Sequence, residues 1–170
     1  MSSVFSRRDF LKFSGFSLAG LAFRPFFGEN QELIHGDLGR VAIYSVSVYK
    51  EPWDKSQILF QRYRDEIVNI YEEVISDQGP GYNPRWYRVW GGYIHSAHIQ
   101  RVEVNLNPIL NTLPEKGQLA EVTVPLTQAL RYNRYTGWQP VYRLYFESLQ
   151  WITGIDEGPN GEAWYKLRDE

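Results

Sequence analysis

Hydrophobic positions along this chain alternate with polar ones over short runs, the period of half-buried β-strands, and Gly, Pro or Asn interrupts each run within ten residues or so. Val41–Tyr49 is β-branched and aromatic and predicts a strand that stops before Pro52. Residues 58–63 predict a second strand, Arg64-Asp65 a tight turn, and residues 66–75 a third strand. In that third run Val68 and Ile70 share one face, opposite Ile67, Asn69 and Tyr71, and are expected to point into the core. A Gly-Pro loop follows, then strands over 86–90 and 93–99 joined at Gly91-Gly92, where the backbone turns sharply or another segment approaches closely. Farther along, 119–124 predicts a strand and 125–140 a long loop, while 141–146 and 149–155 predict a hairpin closed by Glu147-Ser148.

The same phrase occurs twice. Asp77-Gln78-Gly79-Pro80 leads into Trp86-Tyr87-Arg88-Val89, and Asp156-Glu157-Gly158-Pro159 leads into Trp164-Tyr165-Lys166-Leu167, with the tryptophans 78 positions apart. A turn that recurs with its following strand predicts two related small β modules. The expected fold class is therefore all-β, with two tandem small barrels built from short strands and Gly/Pro turns. The expected divisions are an N-terminal segment over 1–28, a linker over 29–39, module one over 40–102, a linker over 103–117 and module two over 118–170. The second copy has no counterpart of residues 91–99, so module two is expected to lack its closing strand.

Composition sharpens this picture. The chain has 170 residues, and its 6 Trp, 12 Tyr and 9 Phe give small modules large rings with which to fill a core. With 0 Cys there is no disulfide, no thiolate metal site and no cysteine nucleophile. The formal charge of −2 argues against nucleic acid as a partner.

The N-terminal segment Ser6-Arg7-Arg8-Asp9-Phe10-Leu11-Lys12, followed by the moderately apolar run 13–23, resembles a twin-arginine export signal. Arg7, Arg8, Phe10, Leu11 and Lys12 occupy that pattern's places, and the resemblance implies a signal helix, the twin-arginine export machinery as a partner and an extracytoplasmic destination at the cell envelope. No clean small-x-small cleavage site follows, so an uncleaved segment would anchor the chain to the membrane.

Pro52 with Ser56-Gln57-Ile58, then Arg64 to Val68, then Trp86 to Ile94 resembles a bacterial SH3-like (SH3b) domain over about residues 40–102. Tandem modules of that kind behind a twin-arginine signal are in turn similar to the N-terminal part of exported L,D-transpeptidases, which cross-link peptidoglycan. Their catalytic cysteine and histidine stand on a further domain that this sequence does not contain. The resemblance thus implies location and binding, with peptidoglycan or a cell-wall protein as the partner, and not catalysis. Two alternatives stay open: a truncated or remnant transpeptidase fragment, and a structural partner-docking protein.

Other chemistry is weakly indicated. His95 and His98 are three apart, which on an unbroken strand sends them to opposite faces and separates them as metal ligands. Asp65-Glu66 and Glu72-Glu73 are expected as a solvated turn and strand face and not as the paired carboxylates of glycoside cleavage. No cofactor is expected. The candidates for ligand contact are rings near loops: Tyr49, Trp53, Trp90 and Tyr93 in module one, and Tyr132, Tyr135 and Trp138 in module two, each weighed against simple packing in a small barrel.

Overall fold

A computed structural model describes residues 4–6 and 36–168. The residues expected to carry targeting, Arg7, Arg8, Phe10, Leu11 and Lys12, lie outside the described residues, as does the expected signal helix. The described chain is all-β with antiparallel sheets, and it divides into two compact units, Gly20–Glu103 and a second formed by Met1–Ala19 with Val104–Glu170. In chain order the first strand, β1 (Val4–Ser6), belongs to the second unit.

The first unit contains β2 (Leu38–Val41), β3 (Ser45–Tyr49), β4 (Ile58–Tyr63), β5 (Ile67–Asn69), β6 (Glu72–Ile75), β7 (Arg85–Val89), β8 (Gly92–His95) and β9 (Ile99–Val102). They form a three-stranded sheet in the order β5-β2-β9 and a five-stranded sheet in the order β4-β3-β8-β7-β6. Val41, Val46, Val48, Val68, Ile70, Tyr87, Val89, Ile94 and Ile99 come from both sheets and bury one shared core. Each fully buried Val or Ile contributes about 1.5–3 kcal/mol, so this cluster is the unit's main source of stability. Val68 and Ile70 point inward as their alternation predicts.

Two apolar runs that read as single strands are in fact corners. The run 41–49 breaks at 42–44 between β2 and β3, and the run 66–75 breaks between β5 and β6, so each passes from one sheet to the other. The backbone at these breaks is held by other segments: Val41 N–H donates to Glu66 O at 3.0 Å, Ala42 N–H to His98 O at 2.9 Å and Asp65 N–H to Val41 O at 2.9 Å. The expected linker over 29–39 also ends early, because Leu38 and Gly39 pair with both β5 and β9. At Gly91-Gly92 both expectations are met. Gly91 has φ +82, and a Cβ on Gly92 would stand 2.3 Å from Tyr49 O.

The second unit adds β10 (Gln118–Glu121), β11 (Leu126–Asn133), β12 (Gly137–Tyr145), β13 (Leu149–Glu157) and β14 (Ala163–Leu167), giving one six-stranded sheet in the order β10-β13-β14-β1-β11-β12. Its core is Val122, Val124, Ala129, Leu144, Ile152, Tyr165 and Leu167. Three expectations are corrected here. The stretch 125–140 is no loop but most of the β11–β12 hairpin; Pro140 is tolerated because β12 is an edge strand and the ladder shifts register at Ala129/Leu130 opposite it. Residues 141–146 and 149–155 do not pair with each other: β12 pairs with β11, and β13 with β10 and β14. Glu147, at φ 63, makes the corner between them, with Glu147 N–H donating to Val122 O at 2.8 Å. Finally, the strand missing from module two is supplied by β1, which falls within the segment 1–28 expected to stand apart from the fold.

Candidate functional site

The repeated phrase builds the same object twice. Trp86, Tyr87 and Val89 on β7 are buried, as are Trp164, Tyr165 and Leu167 on β14. Tyr87 and Val89 face the main core, as the alternation requires, while Trp86 on the opposite face is covered by its Gly-Pro loop, where its Nε1–H donates to Gly79 O at 3.2 Å. Trp164 lies so close to its own loop that a Cβ on Gly158 would sit 2.1 Å from the indole Cδ1. Each tryptophan therefore pins down the loop that precedes it.

Around Trp86 the first unit gathers a string of rings. Tyr49 meets Trp86 edge-on at 5.5 Å, Trp86 meets His95 at 5.1 Å, and His95 meets Tyr82 at 5.9 Å and His98 at 5.8 Å. His95 pairs across from Trp86 in the β7–β8 ladder, and its Nε2 donates to Asn83 O at 2.8 Å, which fixes the proton on that nitrogen. Asn83 in turn donates from Nδ2 to Ser96 Oγ at 3.0 Å. The two histidine rings are neighbours because a 3-10 turn over Ser96–His98 interrupts the strand, so the opposite-face expectation fails. Desolvation, helped by the neighbouring His95, lowers the His98 pKa below its ordinary 6.5. Among the described residues no three His, Asp, Glu or Cys side chains gather to hold a metal.

Of the candidate rings in this unit, Tyr49 and Tyr93 are direct cross-strand partners, and both are half-buried. Trp53 is half-buried in the loop between β3 and β4. Trp90 stands apart from that string at the β7–β8 turn, exposed and leaning on Phe60 at 6.0 Å. Sequence reasoning missed Tyr82 and the histidines. The signal for them was the placement of Tyr82 and Asn83 directly after Gly79-Pro80-Gly81, in the loop over which Trp86 and His95 close.

In the second unit the three candidates share one hairpin. Tyr132 and Trp138 are register partners with rings 5.3 Å apart, and Trp138 stacks on Trp164 at 6.2 Å with an interplanar angle of 25°. At the tip Tyr135 is exposed, with the Arg134 guanidinium 4.4 Å from its ring centroid and in contact with its hydroxyl. The tip is fixed by Tyr135 N–H donating to Asn133 Oδ1 at 2.8 Å and Gln139 Nε2 donating to Thr136 O at 2.9 Å. Tyr132, Trp138 and Trp164 thus form a short ladder of rings anchored at the buried Trp164, and Tyr135 stands exposed at the hairpin tip, outside those ring contacts.

The carboxylates are engaged elsewhere. Glu72 accepts from Arg88 at 3.0 Å, and Glu73 pairs with Arg85 at 2.9 Å and Arg101 at 3.4 Å, all on the surface. Asp65, expected in a solvated turn, is instead fully buried and takes a 2.6 Å hydrogen bond from Arg40 Nη1. Arg40 also donates from Nε at 3.0 Å and Nη2 at 2.7 Å to Gln100 Oε1. This is an internal brace between the β4–β5 turn and β2. No family model, curated protein or solved structure matches the chain.

Proposed function

We propose that this chain is a non-catalytic recognition protein of the cell envelope: two SH3-like modules, exported by the twin-arginine route through Arg7 and Arg8, that bind peptidoglycan or a cell-wall protein. In this reading it resembles the N-terminal modules of peptidoglycan L,D-transpeptidases. The observation that carries the binding part is the hairpin with Tyr132, Tyr135 and Trp138. A rigid ring ladder presents apolar area with polar edges and loses little side-chain entropy on contact, which suits binding to the peptides or sugars of a wall polymer. Tyr49, Trp53, Trp90 and Tyr93 are the corresponding contact residues of the first module. Without cysteine the chain cannot perform the thiolate chemistry of those relatives.

The test is co-sedimentation of the full chain with purified peptidoglycan at low salt. Retention above that of a neutral control protein, reduced by Tyr135→Ala, is the expected result; no retention would turn the reading toward docking of a protein partner. Export is tested separately by changing both Arg7 and Arg8 to Lys, which should leave the protein in the cytoplasm.

A further inference from the structure

The strand β1 occupies the centre of the second unit's sheet, although residues 20–103 of the other unit separate it in sequence from the rest of its own. Val4 pairs with Arg131 and Leu167, Phe5 with Leu130 and Lys166, and Ser6 with Ala129 and Tyr165, antiparallel on both sides. In the sheet order β14 and β11 meet only through β1, so without it the sheet falls into β10-β13-β14 and β11-β12, each with a bare inner edge. The walls of this slot are nevertheless held by the shared core, since Ala129 on β11 and Tyr165 and Leu167 on β14 belong to one buried cluster. A strand-wide gap with two rows of backbone donors and acceptors is thus built by the rest of the unit and filled by three residues.

We propose that β1 is an exchangeable strand and that the slot between β11 and β14 accepts Val4–Ser6 of a second copy of this chain, so that two copies trade strands. An identical segment in trans makes the same ladder as the one in cis, and only the tether distinguishes them. In sequence a long stretch separates Ser6 from Leu38, where the next strand begins, and the effective concentration that a covalent link gives an intramolecular partner falls as the link lengthens. Exchange is therefore favoured as protein concentration rises. The inference stands independently of wall binding, and it requires that Val4–Ser6 stay on the chain, as in the reading of the N-terminal segment as uncleaved.

The absence of native cysteine makes a direct test available. Val4 and Arg131 are register partners, so their Cα atoms lie within the reach of a disulfide. Full-length Val4→Cys and Arg131→Cys proteins, mixed and mildly oxidised, should give a covalent heterodimer at twice the monomer mass on a non-reducing gel, with a yield that increases with concentration. Arg131 is exposed, so the substitution at that position leaves the core intact. The double variant, Val4→Cys with Arg131→Cys in one chain, should form an internal bridge at high dilution. If the double variant bridges internally while the mixed single variants give no more heterodimer than Val4→Cys mixed with Lys55→Cys in the other unit, the strand does not exchange and the proposal is overturned. Failure of the double variant to bridge at any concentration would overturn it as well, because β1 would then not occupy the slot.

Discussion

Asp65 combines several demands in one side chain. It adopts φ 70, where a non-glycine residue is uncommon and Asp and Asn are the best tolerated, and its carboxylate is buried against Arg40. Removing one member of a buried ion pair leaves the other charged and desolvated, so Asp65→Ala should destabilise the first unit by about 3–5 kcal/mol in urea unfolding. Asp65→Asn, which tolerates the backbone and keeps an acceptor, should cost less. His98 is a second point of sensitivity. Its folded pKa lies below the ordinary value, so the unfolded chain binds the proton more readily, and the associated stability is present above pH 6.5 and is lost as pH falls below it. His98→Gln should flatten that acid limb in thermal melts taken from pH 7.5 to 5, with the neighbouring His95 left in place.

Elements separate rings that hold the fold from rings that stand exposed. On the β11–β12 hairpin Trp138 stacks on the buried Trp164, whereas the side chain of Tyr135 at the tip is exposed and meets only Arg134 among the side-chain contacts described above. Tyr135→Ala should therefore change stability by less than about 0.5 kcal/mol while lowering peptidoglycan retention. Trp138→Ala should cost about 1–3 kcal/mol, since it removes both buried ring area and the stack. Chemical denaturation and the sedimentation assay, run on both variants, distinguish these outcomes. The same logic makes Trp86 and His95 loop fasteners, because both side-chain N–H groups are occupied by carbonyls of the Gly-Pro loop.

At the scale of the whole molecule, the two units differ in how their sheets are completed. The first is assembled from residues within Gly20–Glu103, while the second draws its central strand from Val4–Ser6. Deleting residues 1–6 should accordingly accelerate hydrogen exchange at the amides of residues 129–131 and 165–167 and leave those of β3, β7 and β8 unchanged. Uniform protection in both units after the deletion would show that β11 and β14 close on one another without β1.

Much of this was legible along the chain, because periodicity and turn chemistry are local. The alternation at Val68 and Ile70, the glycine pair at Gly91-Gly92 and the doubled Trp-Tyr phrase depend on neighbouring residues, and each describes a feature the structure retains. Tyr132, Tyr135 and Trp138 were grouped on one local stretch, although the loop assigned to them is a hairpin. What the sequence determined by itself is an all-β chain with two tryptophan-bearing strands, each preceded by a Gly-Pro turn, and no cysteine chemistry. Tertiary structure decided where apolar runs bend from one sheet to another, why the Asp65 carboxylate is buried, how a 3-10 turn brings His95 and His98 together, and which strand fills the gap beside β14. Each of those depends on partners between 25 (65 − 40) and 163 (167 − 4) residues away or on a backbone break set by them, as with Arg40 for Asp65 and Val4–Ser6 for Tyr165 and Leu167. Hydrophobic pattern records which face of a strand is buried, but it carries no record of which distant segment covers it.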